Sequence, residues 1–263
     1  MSLPVYEAIG FKDILDKGGH SKPWVVTVNV KGTPRPYVVK LYKTRDIDAR
    51  NKMTAEVLGN VLAKEFNLRT PDAAIVNFSE IFRMTLNQDC ESILAFLDER
   101  PKFGSLLIDG AYTFNTQTKR NEVSKIIDPA LLFAYDYFIG NRDRTLEKQN
   151  LIVKNGAGYL IDHEMALEFE EARFEFDKTL EMDHRYKYHL FYNHLKKTRK
   201  NKAHLFDEFE EYLRRLNIGI LNPYFQQLEQ MGFNTQKEHI LDYWTKVIGK
   251  STIFVKILGN SIL

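Results

Sequence analysis

Between residues 24 and 42 the apolar positions fall into two β-branched runs separated by a turn. Trp24-Val25-Val26-Thr27-Val28-Asn29-Val30 alternates in part, and Tyr37-Val38-Val39-Lys40-Leu41-Tyr42 follows the turn residues Lys31-Gly32-Thr33-Pro34. This pattern predicts an antiparallel hairpin, within a stretch (1–45) that reads throughout as strands and turns. From about 47 to 66 the period changes. Met53, Val57 and Val61 recur every four residues beside Leu58, Leu62 and Phe66, which predicts a helix closed by Asn67 and Pro71. Short strands are expected at 74–78 and 103–108, with a helix around 91–99 between them and a connector near 108–115.

Further along, Asp128-Pro129 is a helix start with an Asp cap and Pro in the first turn. The next residues, 131–139, are apolar nearly all round, which predicts a buried helix ended by Gly140. Leu151-Ile152-Val153 and Tyr159-Leu160-Ile161 flank Lys154-Asn155-Gly156-Ala157-Gly158, a hairpin signature. Beyond 180 the chain reads as mainly helical. Phe206, Phe209, Leu213 and Leu216 form one stripe, while Glu210/Arg214 and Glu211/Arg215 pair at i,i+4 on the surface. No repeat or low-complexity segment interrupts the pattern. The expected class is α+β, with a strand-rich amino-terminal half containing one main helix and a helix-rich carboxy-terminal half carrying a polar hairpin.

Composition changes this picture little. The chain has 263 residues, 44 % hydrophobic and 27 % charged, which suits one large domain or two lobes with a self-sufficient core. A net charge of +2 argues neither for nor against nucleic acid. Cys90 is the single cysteine, which rules out an intramolecular disulfide framework and a cysteine-rich zinc site. The start of the chain lacks a secretory pattern, and no run approaches the roughly 20 apolar residues of a membrane span. A cytoplasmic protein is expected. His184, His189 and His194 recur every five residues, a spacing that rotates around a helix and does not build a metal site. The basic run at 196–202 reads as a solvated loop, with nucleic acid or an acidic protein as the alternative.

The chemistry concentrates between 140 and 163. Gly140-Asn141-Arg142-Asp143-Arg144 follows the buried helix, Asn150 begins the hairpin, and Asp162 ends it. Alone, each is also an ordinary turn residue. Together they supply what phosphoryl transfer to a hydroxyl needs: one carboxylate to take or orient the acceptor proton, and an amide oxygen and a second carboxylate for magnesium. Lys40, set among apolar neighbours, either points outward or offers a fixed cation to a phosphate. Glu56, at the border of the helical stripe, is either solvated or holds that lysine. Gly18-Gly19 is either a plain turn or a backbone approach to phosphates. Neither a Walker loop nor a G-x-G-x-x-G is present.

From about Gly18 to Phe169 these pieces, in order and spacing, resemble the HipA-like kinase family, relatives of the eukaryotic-type protein kinases. The resemblance rests on the glycine turn with Ser21 and Pro23, Tyr37-Val38-Val39-Lys40, Glu56, 71–79, Phe103-Gly104-Ser105, the Asn141-Arg142-Asp143-Arg144 loop and Leu160-Ile161-Asp162-His163. It implies a two-lobed protein-kinase-like fold, with a nucleotide-binding lobe over 1–110 and a catalytic lobe over 111–263. It implies ATP and Mg2+ as cofactors and a protein serine or threonine as acceptor. Position by position, Lys40 would bind phosphates and Glu56 would orient it. Asp143 would be the catalytic base, and Asn150 and Asp162 would bind magnesium. Gly18 and Gly19 would cover the phosphates, and Leu107 and Ile108 would lie in the adenine hinge. Three positions depart from the family pattern. Lys148 stands where many relatives have the metal-binding Asn, Thr145 where His is frequent, and Glu164 where Gly is frequent. A nucleotide-binding scaffold without transfer activity is therefore the alternative reading.

Overall fold

The structure, a computed structural model, describes residues 2–15, 22–198 and 201–263. The chain divides into two compact units. One comprises Met1–Val57, Pro71–Asp109 and Leu221–Thr235; the other comprises Leu58–Thr70, Gly110–Ile220 and Gln236–Leu263. The class is mixed α+β, with the strands concentrated early and the helices late. No helix among the described residues is long and apolar enough to cross a membrane.

Five strands of the first unit close into a barrel. They are β1 (Val5–Ile14), β2 (Trp24–Val30), β3 (Thr33–Val39), β4 (Ala73–Asn77) and β5 (Lys102–Leu106), in the order β1-β2-β3-β5-β4. Strand β1 pairs β4 in parallel, and the other neighbours are antiparallel. Period-two alternation sends Trp24, Val26 and Val28 of β2 and Tyr37 and Val39 of β3 into one core with Ala74 and Val76. The hairpin turn is tighter than expected. Only Lys31 and Gly32 form it, with φ of 50° and 84°, so β3 begins at Thr33 and stops before Lys40. Pro34 and Pro36 are tolerated because β5 pairs with β3 only over 37–39.

The single helix expected over 47–66 is two, α1 (Thr44–Arg50) and α2 (Lys52–Glu65). Asn51 separates them at φ 53°, a left-handed conformation Asn accepts, and its side chain donates to the Thr235 carbonyl at 2.8 Å. Short helices α3 (Glu80–Arg83) and α4 (Gln88–Leu94) follow. Asn87 caps α4 by accepting from Cys90 N at 2.8 Å, which starts it earlier than the apolar pattern indicates.

In the second unit a short strand β6 (Tyr112–Thr113) adds to the hairpin β7 (Leu151–Lys154) and β8 (Ala157–Leu160). Helix α5 (Arg120–Ile126) precedes α6 (Pro129–Ile139), in which every residue is buried. Asp128 caps α6, its Oδ1 accepting from Ala130 N and Leu131 N at 2.7 and 2.9 Å. The helices α7 (Glu171–Phe174), α8 (Phe176–Thr179), α9 (Tyr192–Lys196) and α10 (Asp207–Arg215) come next. Helix α11 (Asn222–Gln230) belongs to the first unit, where Gln227 bonds both backbone groups of Leu3. The chain ends in α12 (Lys237–Gly249) and α13 (Ser251–Ile262). Around α6, Phe138 stacks on Trp244 at 5.6 Å and Tyr137 on Phe254 at 5.1 Å. The predicted stripe of α10 is buried, with Phe206, Phe209 and Leu213 at 3 % exposure or less.

Candidate active site

In the barrel unit, Lys40 comes one residue after Val39, and the strand's parity turns it away from the barrel core. Its Nζ lies 3.5 Å from Glu56 Oε1, with the two side chains 12 % and 1 % exposed. Tyr42 also donates to Glu56 Oε1, at 3.1 Å. The buried carboxylate is thus held by a phenol and an ammonium, and the lysine is fixed instead of waving in solvent. Strand pairing continues at the Lys40 backbone, whose N–H donates to the Phe103 carbonyl at 3.0 Å. Leu107 and Ile108 follow β5 and are half-buried, and Leu107 N donates to the Pro36 carbonyl at 2.9 Å. Gly18 and Gly19 lie outside the described residues.

In the other unit, Gly140 ends α6 at φ 75°. A Cβ there would come within 2.7 Å of Arg173 Nη1 and 3.2 Å of the Phe169 ring, so both conformation and space call for glycine. The next five residues form the loop carrying Asp143, which is 20 % exposed at its side chain. Asp143 Oδ2 accepts from Asn150 Nδ2 at 3.3 Å, and its Oδ1 pairs with Lys148 Nζ at 3.1 Å. The structure thus brings together the candidate base and one candidate metal ligand, and adds a lysine that sequence reasoning noted only as a departure. Asn150 turns its side-chain NH2 toward Asp143.

Asp162 stands at the same hairpin end as Asn150. Leu151 pairs with Leu160, and Ile161 N donates to the Asn150 carbonyl at 3.1 Å. Both candidate ligands have positive φ, 44° at Asn150 and 61° at Asp162, which Asn and Asp tolerate better than most residues. Glu164 brings a carboxylate oxygen within 4.8 Å of one on Asp162. Amide and carboxylate oxygens of this kind suit a hard cation such as Mg2+.

Beneath the loop lies a polar cluster that the sequence reading did not single out. Asp136, the one charged residue of α6, is fully buried, and Arg144 Nε donates to its Oδ2 at 2.7 Å. His189 Nε2 is 3.0 Å from the same oxygen, and Asn141 Nδ2 donates to Oδ1 at 3.0 Å. Burial pushes the Asp136 carboxyl up, but Arg144 beside it and the His189 bond outweigh this and leave it below the usual range. Burial pushes the His189 imidazole down. Removing one partner of such a buried ion pair costs about 3–5 kcal/mol. Arg144 Nη2, also buried, has no hydrogen-bond partner among the described residues. The available signal was a lone charge in an otherwise apolar helix.

A profile described as HipA-like kinase matches residues 17–222. No curated protein matches the chain. Among solved structures, a Helicobacter pylori proinflammatory kinase, CtkA, has a similar fold, with a TM-score of 0.50 at 9 % identity over 100 % of this chain and 98 % of that one. The profile spans most of the sequence, so the chain belongs to the HipA-like kinase family.

Proposed function

We propose that this chain is an ATP- and magnesium-dependent kinase that transfers the γ-phosphoryl group to a hydroxyl, with protein serine or threonine as the acceptor class. In this reading the fold is two-lobed and protein-kinase-like, with a nucleotide-binding lobe over about 1–110 and a catalytic lobe over about 111–263. The observation that carries the reading is the Asp143–Asn150 pair, on a loop anchored to a buried helix and beside the hairpin end that bears Asp162. Asp143 orients the acceptor hydroxyl and takes its proton. Asn150 and Asp162 hold the metal through oxygen. Lys40, kept in place by Glu56, neutralises charge on the phosphates. Leu107 and Ile108 contact the adenine. Magnesium, when bound, offsets the charge that develops on the phosphoryl oxygens. Most of the rate enhancement then comes from positioning and electrostatics.

ATP turnover and self-phosphorylation of the wild type and of Asp162→Ala test this directly. The variant is expected to lose at least about a hundredfold in rate. Equal rates in the two proteins would remove Asp162 from the chemistry.

The Lys148–Asp143 ion pair favours a second reading, a nucleotide-binding scaffold in which the carboxylate is held by its own chain. Calorimetric binding of ATP with magnesium, together with no transfer to any acceptor, would support that reading.

A further inference from the structure

The Asp136 carboxylate collects donors from two segments of the chain, and each leads somewhere. Asn141, which donates to its Oδ1, accepts from the Asp143 N–H through its own Oδ1 at 3.1 Å. Arg144, which donates to its Oδ2, uses Nη1 to donate to the Asn150 carbonyl. That carbonyl also accepts from Ile161 N at 3.1 Å, one residue before Asp162. His189 closes the cluster from the downstream segment. Its Nδ1 accepts the Phe191 N–H at 3.1 Å, so its ring proton sits on Nε2 and is donated to Asp136. The Leu190 N–H further ties that segment to the Arg144 carbonyl, at 2.9 Å.

We infer that Asp136 is the positioning residue of the transfer site, setting the backbone of Asp143 through Asn141 and that of Asn150 through Arg144. This rests on the reading of Asp143 as base and Asn150 as metal ligand. Packing alone does not call for a carboxylate here, because an apolar side chain of similar volume would fill α6 without any desolvation cost. What the charge adds is direction. One buried acceptor fixes two donors, and each donor grips a backbone group of the loop or the hairpin. A misplacement of about 1 Å in such a site costs on the order of a hundredfold in rate.

The test variant is Arg144→Lys in the full chain. It keeps a cation beside Asp136 but loses the guanidinium fork, so it cannot hold Asp136 and the Asn150 carbonyl together. Two readouts are compared with wild type: hydrogen exchange of the 141–150 loop and of Ile161, and steady-state kinetics with ATP at varied magnesium. Exchange at Asp143 and Ile161 is expected to rise at least about tenfold with α6 unchanged. The kcat is expected to fall at least about tenfold, with KM for ATP within about threefold and a higher magnesium requirement. Asp136→Asn should show the same split more strongly. If it does not fold, Arg144→Lys still decides. Unchanged exchange, or faster exchange with unchanged kcat, overturns the inference. A wild-type protein that turns over no ATP sinks the kinase reading instead, and exchange then decides whether Asp136 positions the loop.

Discussion

Lys102 is a cation almost fully enclosed in the barrel unit, at 5 % exposure. Its Nζ donates to the Asp98 carbonyl at 2.5 Å and to the Arg100 carbonyl. Burial is the largest influence and lowers its pKa from 10.5 to about 8. Asp98 and Glu99 pull it up, and Arg83 and Arg100 push it down. Below about pH 8 the ammonium is present in both the folded and unfolded chain, and its desolvation cost is fully felt. Between about 8 and 10.5 the unfolded chain holds more protons than the folded one, so this group makes stability rise with pH. The rise is on the order of 3 kcal/mol. Lys102→Met is expected to lack it, so urea midpoints of wild type and variant should converge or cross as pH climbs through that window. Parallel pH profiles for the two proteins would contradict the account of Lys102.

Elements with their own punctuation were legible. The cap at Asp128 and the stop at Gly140 bound α6, and Asn155-Gly156, with φ of 51° and 76°, turns β7 into β8. Strand β1 was blurred because register shifts between Ala8 and Gly10 and between Phe11 and Asp13 break its alternation. Apart from the Lys40–Glu56 pair, which was one of two readings, distant contacts were not legible. Gly59 of α2 shows why, since nothing in its local pattern distinguishes it from other helix glycines. A Cβ there would meet the His163 Cβ and Cγ at 2.6 Å, right beside Asp162. Gly59→Ala should therefore lose about 1–3 kcal/mol by overpacking. Gly259→Ala in α13, with nothing within 4 Å, should gain about 0.5–1 kcal/mol from helix propensity. Thermal melts of both variants check this. A melting temperature for Gly59→Ala at or above wild type would refute the close approach.

At the scale of the molecule, Lys40, Asp143, Asn150 and Asp162 stood out because their chemistry is unusual for their local pattern, one lysine in an apolar run and three polar groups around one hairpin. Asp136 went unnoticed, as did the part Asn141 and His189 play around it, because those roles come from contacts up to 53 positions apart, which no window of sequence displays. The five-residue histidine spacing gave no hint that His189 is a buried partner for a carboxylate. Helices α12 and α13 lie beyond the stretch matched to the family, and they pack on α6, where Trp244 Nε1 donates to the Phe138 carbonyl at 3.4 Å. The late part of the chain thus supports the same helix that anchors the candidate loop. In the proposed function, Asp143 carries phosphoryl transfer. The most direct test of this role is transfer of labelled γ-phosphate from ATP with magnesium, comparing wild type with Asp143→Asn after both have been shown to bind the nucleotide. Transfer by wild type and a loss of at least about a hundredfold in the variant, with nucleotide affinity preserved, are expected; equal transfer by the two proteins would contradict this role for Asp143.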